Sequence, residues 1–201
     1  MNSKLTNRMI ILVQNLRKRE NVNYQQILNE IIQTRNLTYQ CIMMREYLSP
    51  QSTYMEKIVK KYLHLEDCKD VNTGDGCKNN FNYEIKISVH SKNSKFNFVQ
   101  IRPDHKIDFY ILIGYNIHYD NDIGRAYIFK VPSNDINNLI LEFGSYAHGS
   151  KEILGNITKE NLKGRNCEYA LRCNPNSKKG NNFKLWNRLL EYEIEYNPEL
   201  F

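Results

Sequence analysis

Apolar residues at Leu5, Met9, Leu12, Val13 and Leu16 recur with the spacing of one helical face. Tyr24, Ile27, Leu28, Ile31 and Ile32 repeat that spacing, and Cys41, Ile42 and Leu48 give a third, shorter instance. Pro50 stops the region, because the residue before a proline is pushed out of the helical basin. Residues 1–48 therefore read as a small helical region. A new helix is expected from Ser49-Pro50, burying Met55, Ile58, Val59, Tyr62 and Leu63. Strand patterns follow at 82–89, 107–117 and 126–131. The second is almost wholly apolar, as a central strand covered on both faces would be. Ser133 is placed to cap a helix carrying Ile136, Leu139, Ile140 and Phe143, with Gly144 closing it. Residues 144–182 read as loop-rich and basic, and Trp186, Leu189, Leu190 and Ile194 mark a last helix. Helices followed by a mixed sheet with interleaved helices define an α/β core. No internal repeat or low-complexity tract interrupts it.

Composition agrees with a folded chain and adds a lean in charge. The chain has 201 residues, 41% hydrophobic and 25% charged, which suits one globular domain. Asn, Lys, Ile and Tyr are heavily used, as in proteins from AT-rich genomes. The net charge of +6 points towards an anionic partner, although lysine-rich codons would produce the same lean. Five cysteines are scattered at 41, 68, 77, 167 and 173 without a C-x2-C pair, which argues against a structural zinc and for reduced thiols in the cytoplasm. The N-terminal apolar run is too short for a signal peptide, and no stretch is long and apolar enough to span a membrane, so no membrane partner is expected.

The chemistry concentrates in residues 74–88, GDGCKNNFNYEIKIS. Asn79-Asn80 suits a two-residue hairpin turn, since Asn tolerates positive φ. Lys78 then pairs with Phe81, Cys77 with Asn82, Gly76 with Tyr83, and Asp75 with Glu84. The last pair sets two carboxylates opposite each other, with Cβ atoms roughly 5 Å apart. Lys86 points to the face of Glu84, while Tyr83, Ile85 and Ile87 form the opposite, apolar face. Facing carboxylates destabilise a sheet unless a cation sits between them, and hard oxygen ligands suit Mg²⁺. The plainer reading is the solvent face of a hairpin, on which Lys86 neutralises a carboxylate.

Asp75…Glu84-Ile85-Lys86 resembles the active-site motif of the PD-(D/E)xK nuclease superfamily, known best from type II restriction endonucleases. The following KFNFVQIRPDHKIDFYILIGYN is similar to the helix-then-strand continuation of restriction-type members, and the resemblance covers residues 49–131. Gly74 stands where the motif has proline. Pro103-Asp104 matches the letters of the motif, but no acid-x-Lys follows it. The resemblance implies a restriction-endonuclease-like catalytic domain over 49–201, with the helical region 1–48 contributing to dimerisation or DNA contact. It further implies that Asp75, Glu84 and the Ile85 carbonyl bind Mg²⁺. Lys86 would activate or orient the attacking water, with charge on the scissile phosphate stabilised by metal and lysine together. An additional acid on the preceding helix is common in such enzymes, and Glu56 is the candidate; Thr53-x-x-Glu56 also reads as a capping box.

The expected activity is site-specific hydrolysis of double-stranded DNA by a homodimer, one site per strand. A homing, repair or mobile-element nuclease on the same core is the alternative enzyme, and a DNA-binding module with a vestigial site is the alternative without catalysis. Candidate DNA contacts are Lys92, Lys95, Gln100 and Arg102 after the hairpin. In the recognition loops of 144–182 they are His148, Ser150, Lys163, Arg165, Lys178 and Lys179. Among these, Arg165 and His148 are the expected base readers and Lys178 and Lys179 the expected phosphate contacts. The histidines at 64, 90, 105 and 118 have no metal-ligand spacing, and Asp104-His105 lacks the later residues of an HNH site.

Overall fold

The computed structural model describes residues 52–68, 70–90, 95–116, 125–163 and 167–194. The expected helical region 1–48 lies outside the described residues, as do Lys92 and Arg165. Helix α1 (Ser52–Leu63) leads through a short 3-10 turn (Val71–Thr73) into the hairpin β1 (Gly76–Lys78) and β2 (Phe81–His90). Then follow β3 (Phe96–Ile101), β4 (Phe109–Asn116), β5 (Arg125–Pro132) and helix α2 (Ser133–Phe143). The rest comprises β6 (Ser145–Tyr146), α3 (Lys151–Leu154), α4 (Lys159–Leu162), β7 (Tyr169–Cys173) and α5 (Asn181–Leu190). The fold is mixed α/β, with a mixed sheet flanked by helices.

Four strands form one sheet in the order β1-β2-β4-β5, with β2 parallel to β4 and the other pairs antiparallel. The expected central strand is β4: Tyr110, Ile111, Leu112, Ile113 and Tyr115 are all buried. Its alternate side chains serve two cores, and burying each stabilises by about 1.5–3 kcal/mol. The tyrosines of this strand, Tyr110 and Tyr115, are packed in the interior. A second, antiparallel sheet runs β3-β7-β6. The two sheets meet where Phe96 packs beneath Gly114; a Cβ at 114 would stand 2.9 Å from the Phe96 ring, so only glycine permits the approach.

Three expectations need correction. No helix lies in the described residues between β2 and β4. That connection carries β3 instead, because F-N-F-V-Q-I alternates with period two and buries Phe96, Phe98 and Ile101. The segment 144–182 is not mainly loop: it supplies two strands and two short helices, and Tyr169, Ala170, Leu171 and Cys173 are core residues. Ser133 makes no side-chain cap; it is the first helical residue, and its N–H donates to the Asp108 carbonyl at 2.9 Å. Helix α2 does end at Gly144, whose N–H donates to the Ile140 carbonyl at 2.8 Å.

The hairpin has the expected register at three pairs, with Gly76 opposite Tyr83, Cys77 opposite Asn82 and Lys78 opposite Phe81. The expected fourth pair, Asp75 with Glu84, is not part of the ladder, because the Asp75 N–H donates to the Tyr83 carbonyl and its carboxylate turns to the Ile85 N–H. Asn79 and Asn80 carry φ of 54° and 65°, the two successive positive values that a tight primed turn requires. Gly74 enters the hairpin with φ 92° and ψ −167°, a region essentially reserved for glycine. A Cβ there would meet the Tyr83 carbonyl oxygen at 2.5 Å. Proline, held near φ of about −65°, has no access to this conformation. Gly74→Ala is expected to cost at least about 1–3 kcal/mol and to lower the melting temperature. An unchanged thermal melt would show that the backbone at 74 is not strained by a side chain.

Candidate active site

β1 ends at its pairing with β2, and that ending positions Asp75. The last paired residues are Gly76 and Tyr83, and the Asp75 N–H still donates to the Tyr83 carbonyl at 2.8 Å. Beyond this point the ladder leaves the Ile85 peptide without a β1 partner. The Asp75 carboxylate fills the gap: its Oδ2 accepts the Ile85 N–H at 2.7 Å. Asp75 is thereby fixed at the open end of the hairpin, beside the strand that carries Glu84 and Lys86.

Period-two alternation puts Glu84 and Lys86 on one face of β2, and Lys86 Nζ lies 2.5 Å from Glu84 Oε1. The pair is not on a solvent face. Glu84 is 6% exposed overall and the Lys86 side chain 16%. The plain surface-hairpin reading is therefore set aside by burial on both faces, since Tyr83 and Ile85 are buried on the other. Burial pushes the Glu84 carboxyl above its ordinary range; Lys86 opposes that shift and the charge of Asp75 reinforces it. The net upward direction means that desolvation outweighs the ion pair.

Helix α1 contributes Glu56 to the same cluster. The helix starts at Ser52, so Thr53 lies inside it and is not its N-cap. Glu56 is half-buried, and its carboxyl is pushed up to about 7, first by burial and then by the charge of Asp75, with Glu84 adding to the rise. Lys86 and Lys60 pull it down. Asp75, Glu84 and Lys86 thus all act on Glu56, and Asp75 and Lys86 act on Glu84. Among the described residues, however, no three His, Cys, Asp or Glu side chains are grouped closely enough to hold a metal ion as they stand. The donor set nonetheless suits a hard divalent cation: three carboxylates, two of them raised first by burial and further by the charge of Asp75.

The Glu56 shift has a thermodynamic consequence. The folded state holds this proton more tightly than the unfolded chain, so between about pH 4.5 and 7 it binds more protons. The contribution of Glu56 to stability therefore falls as pH rises through that window and stays low above it. Glu56→Gln should melt higher than wild type at pH 8 and close to it at pH 5. A difference that does not depend on pH would contradict the assignment of the raised pKa to Glu56.

The expected DNA contacts separate into groups. Gln100 and Arg102, together with the sequence-distant His148, line one cleft of about 720 Å³ with Asn72, His105 and Glu168. Ser150 is the N-cap residue of α3, and its hydroxyl holds the Glu152 carboxyl below the usual range. Lys95 is exposed just before β3, Lys163 is exposed at the end of α4, and Lys178 and Lys179 are exposed in the turn between β7 and α5. Sequence reasoning missed Asn72 and Glu168, and it considered His105 only as a metal ligand or HNH residue and set it aside. His105 lies close enough to Glu84 to favour its ionised form, which links the cleft to the acidic cluster. The signal for Glu168 was its charge at the entry of a strand that the sequence reading had placed in a loop. Of the cysteines, Cys77 Sγ lies 2.9 Å from Cys68 Sγ, and burial with that contact pushes the Cys68 thiol up to about 11.

Comparisons with protein-family models, with curated proteins and with solved structures return no match for this chain.

Proposed function

We propose that the chain is a Mg²⁺-dependent endonuclease of restriction type, with a restriction-endonuclease-like core, that hydrolyses phosphodiester bonds in double-stranded DNA. One observation carries the reading: a desolvated Glu84–Lys86 pair on β2, beside Asp75 at the open hairpin end and Glu56 on α1. A structural ion pair does not require two further acids beside it, one of them raised by burial and by the charge of the other, and that arrangement costs stability unless a cation relieves it. Asp75, Glu84 and the Ile85 carbonyl would hold the metal, with Glu56 as a further acid. When bound, the cation would supply positive charge to the scissile phosphate and lower the pKa of a coordinated water. Lys86 donates to the attacking water or to a phosphate oxygen, and the burial of its surroundings strengthens that interaction. Asp75 and Glu84 must be ionised to act, which places activity on the alkaline side of the Glu84 titration.

The net charge of +6 and the exposed lysines at 95, 163, 178 and 179 favour a polyanion as substrate. The homodimer and the cytoplasmic location belong to the same proposal. No helix among the described residues is long and apolar enough to cross a membrane. Incubation with long linear duplex DNA and Mg²⁺ tests the reading. Discrete fragments that disappear with chelator are expected. A continuous smear would favour a general nuclease, and tight binding without cleavage would favour a DNA-binding module.

A further inference from the structure

β3 contains an irregularity that points a polar side chain into the cleft. Its register against β7 slips between Phe98 and Ile101, and at the slip Gln100 takes φ of 58°. Side chains other than glycine and asparagine seldom enter this region, and bulges next to functional sites commonly re-aim a residue. Gln100 is exposed and faces the cleft shared by Arg102, His105, His148 and Glu168.

Arg102 is held there from two sides. Its Nε donates to Glu168 Oε1 at 3.0 Å, and its Nη2 donates to the same oxygen. The Tyr110 hydroxyl donates to the Arg102 carbonyl at 3.1 Å, and Tyr110 pairs in register with Glu84. The second Glu168 oxygen lies 3.4 Å from His148 Nε2. The Glu168 backbone is pinned as well, since its carbonyl accepts the Ala147 N–H at 2.8 Å. Leu154 and Cys167 supply an apolar wall.

We infer that this cleft reads a purine of duplex DNA by its N7-bearing major-groove edge, with Gln100 and Arg102 as the reading side chains and Glu168 as the positioning residue that orients Arg102. The inference rests on the proposed action on DNA. The carboxylate of Glu168 neutralises Arg102 inside the cleft and would repel a phosphate, so the site suits a base better than the backbone. What remains is a mixed set of amide, guanidinium and imidazole groups beside an apolar wall. Arginine matches the O6/N7 edge of guanine, and glutamine the N6/N7 edge of adenine, so both side chains select purines.

The test is equilibrium binding of the full chain to a random duplex pool, with Ca²⁺ replacing Mg²⁺ to suppress cleavage, followed by sequencing of the bound fraction. Wild type should enrich a motif with a purine at a fixed position. Gln100→Gly and Glu168→Gln should each lower the preference at that position by at least about fivefold while binding the random pool almost as well. Placing the 7-deaza analogue of that purine in the selected duplex should reproduce the loss for wild type. Gln100→Gly should also raise the melting temperature by about 2–4 °C, because glycine relieves the positive φ. Unchanged enrichment in both variants would overturn the cleft assignment alone. Equal weakening on selected and random DNA would make the cleft a backbone contact and overturn base reading. Absence of any duplex binding by wild type would overturn this inference and the proposed function together.

Discussion

Asp75→Ala and Glu84→Ala are each expected to reduce DNA cleavage by about 10²–10³-fold, the scale of losing a group that stabilises transition-state charge, while DNA binding stays measurable. The two acids reach the site by different means, and the expected side effects differ accordingly. Asp75 also accepts the Ile85 N–H at 2.7 Å, so its removal leaves that peptide unsatisfied and frays the hairpin end. Asp75→Asn keeps an acceptor there and should preserve the fold while still losing cleavage. Glu84 is buried against Lys86, and its removal leaves a desolvated ammonium. Glu84→Gln preserves the shape and separates the loss of charge from the loss of packing. Cleavage at the wild-type rate by either alanine variant, measured with Mg²⁺ present, would remove that residue from the proposed site.

Lys86→Ala should slow cleavage by about 10²–10⁴-fold, as expected for a group that positions or activates the attacking water. It should also destabilise the fold. Breaking a buried ion pair costs about 3–5 kcal/mol when the remaining charge has no other compensation. Glu84 has a partial remedy, because burial already raises its pKa and lets it take up a proton. A raised carboxyl pKa favours the folded state at low pH and loses that advantage as pH rises through the folded value. The stability deficit of Lys86→Ala should therefore be larger at pH 8 than at pH 5. Adding Glu84→Gln should recover much of the stability and none of the activity. Recovery of both in the double variant would mean that the lysine acts only through stability.

The hairpin was legible in the sequence because its determinants are local. An Asn-Asn turn sets the register, and period two then decides that Glu84 and Lys86 share a face. Helix α2 and strands β4 and β5 were readable for the same reason, their apolar periods being long and unbroken. Burial of the Glu84–Lys86 pair was not readable, since charges on an alternating strand look the same whether solvent or another layer covers them. The alternating run F-N-F-V-Q-I carries a strand signal, but it is short and overlaps the positions where the resemblance implies a helix. The cleft was legible only in part. Gln100, Arg102 and His148 were recognised singly as donors, but their convergence depends on β3 and β7 pairing across more than sixty residues of chain, which no local pattern encodes. Glu168 escaped notice because its partner Arg102 is brought to it by that same pairing. Gly74 was noticed as a departure from the motif, and it holds a backbone conformation that proline has no means of adopting.

The central claim is that Glu84, Lys86, Asp75 and Glu56 form a centre for phosphodiester hydrolysis. Nicking of supercoiled plasmid by the full chain tests it most directly, with wild type, Asp75→Asn and Lys86→Ala purified in parallel and assayed in Mg²⁺ and in excess chelator. Wild type is expected to convert the plasmid to open-circular and linear forms only with Mg²⁺, and both variants are expected to leave it supercoiled over the same time. A plasmid left supercoiled by wild type in Mg²⁺, or nicked equally by all three proteins, would contradict the claim.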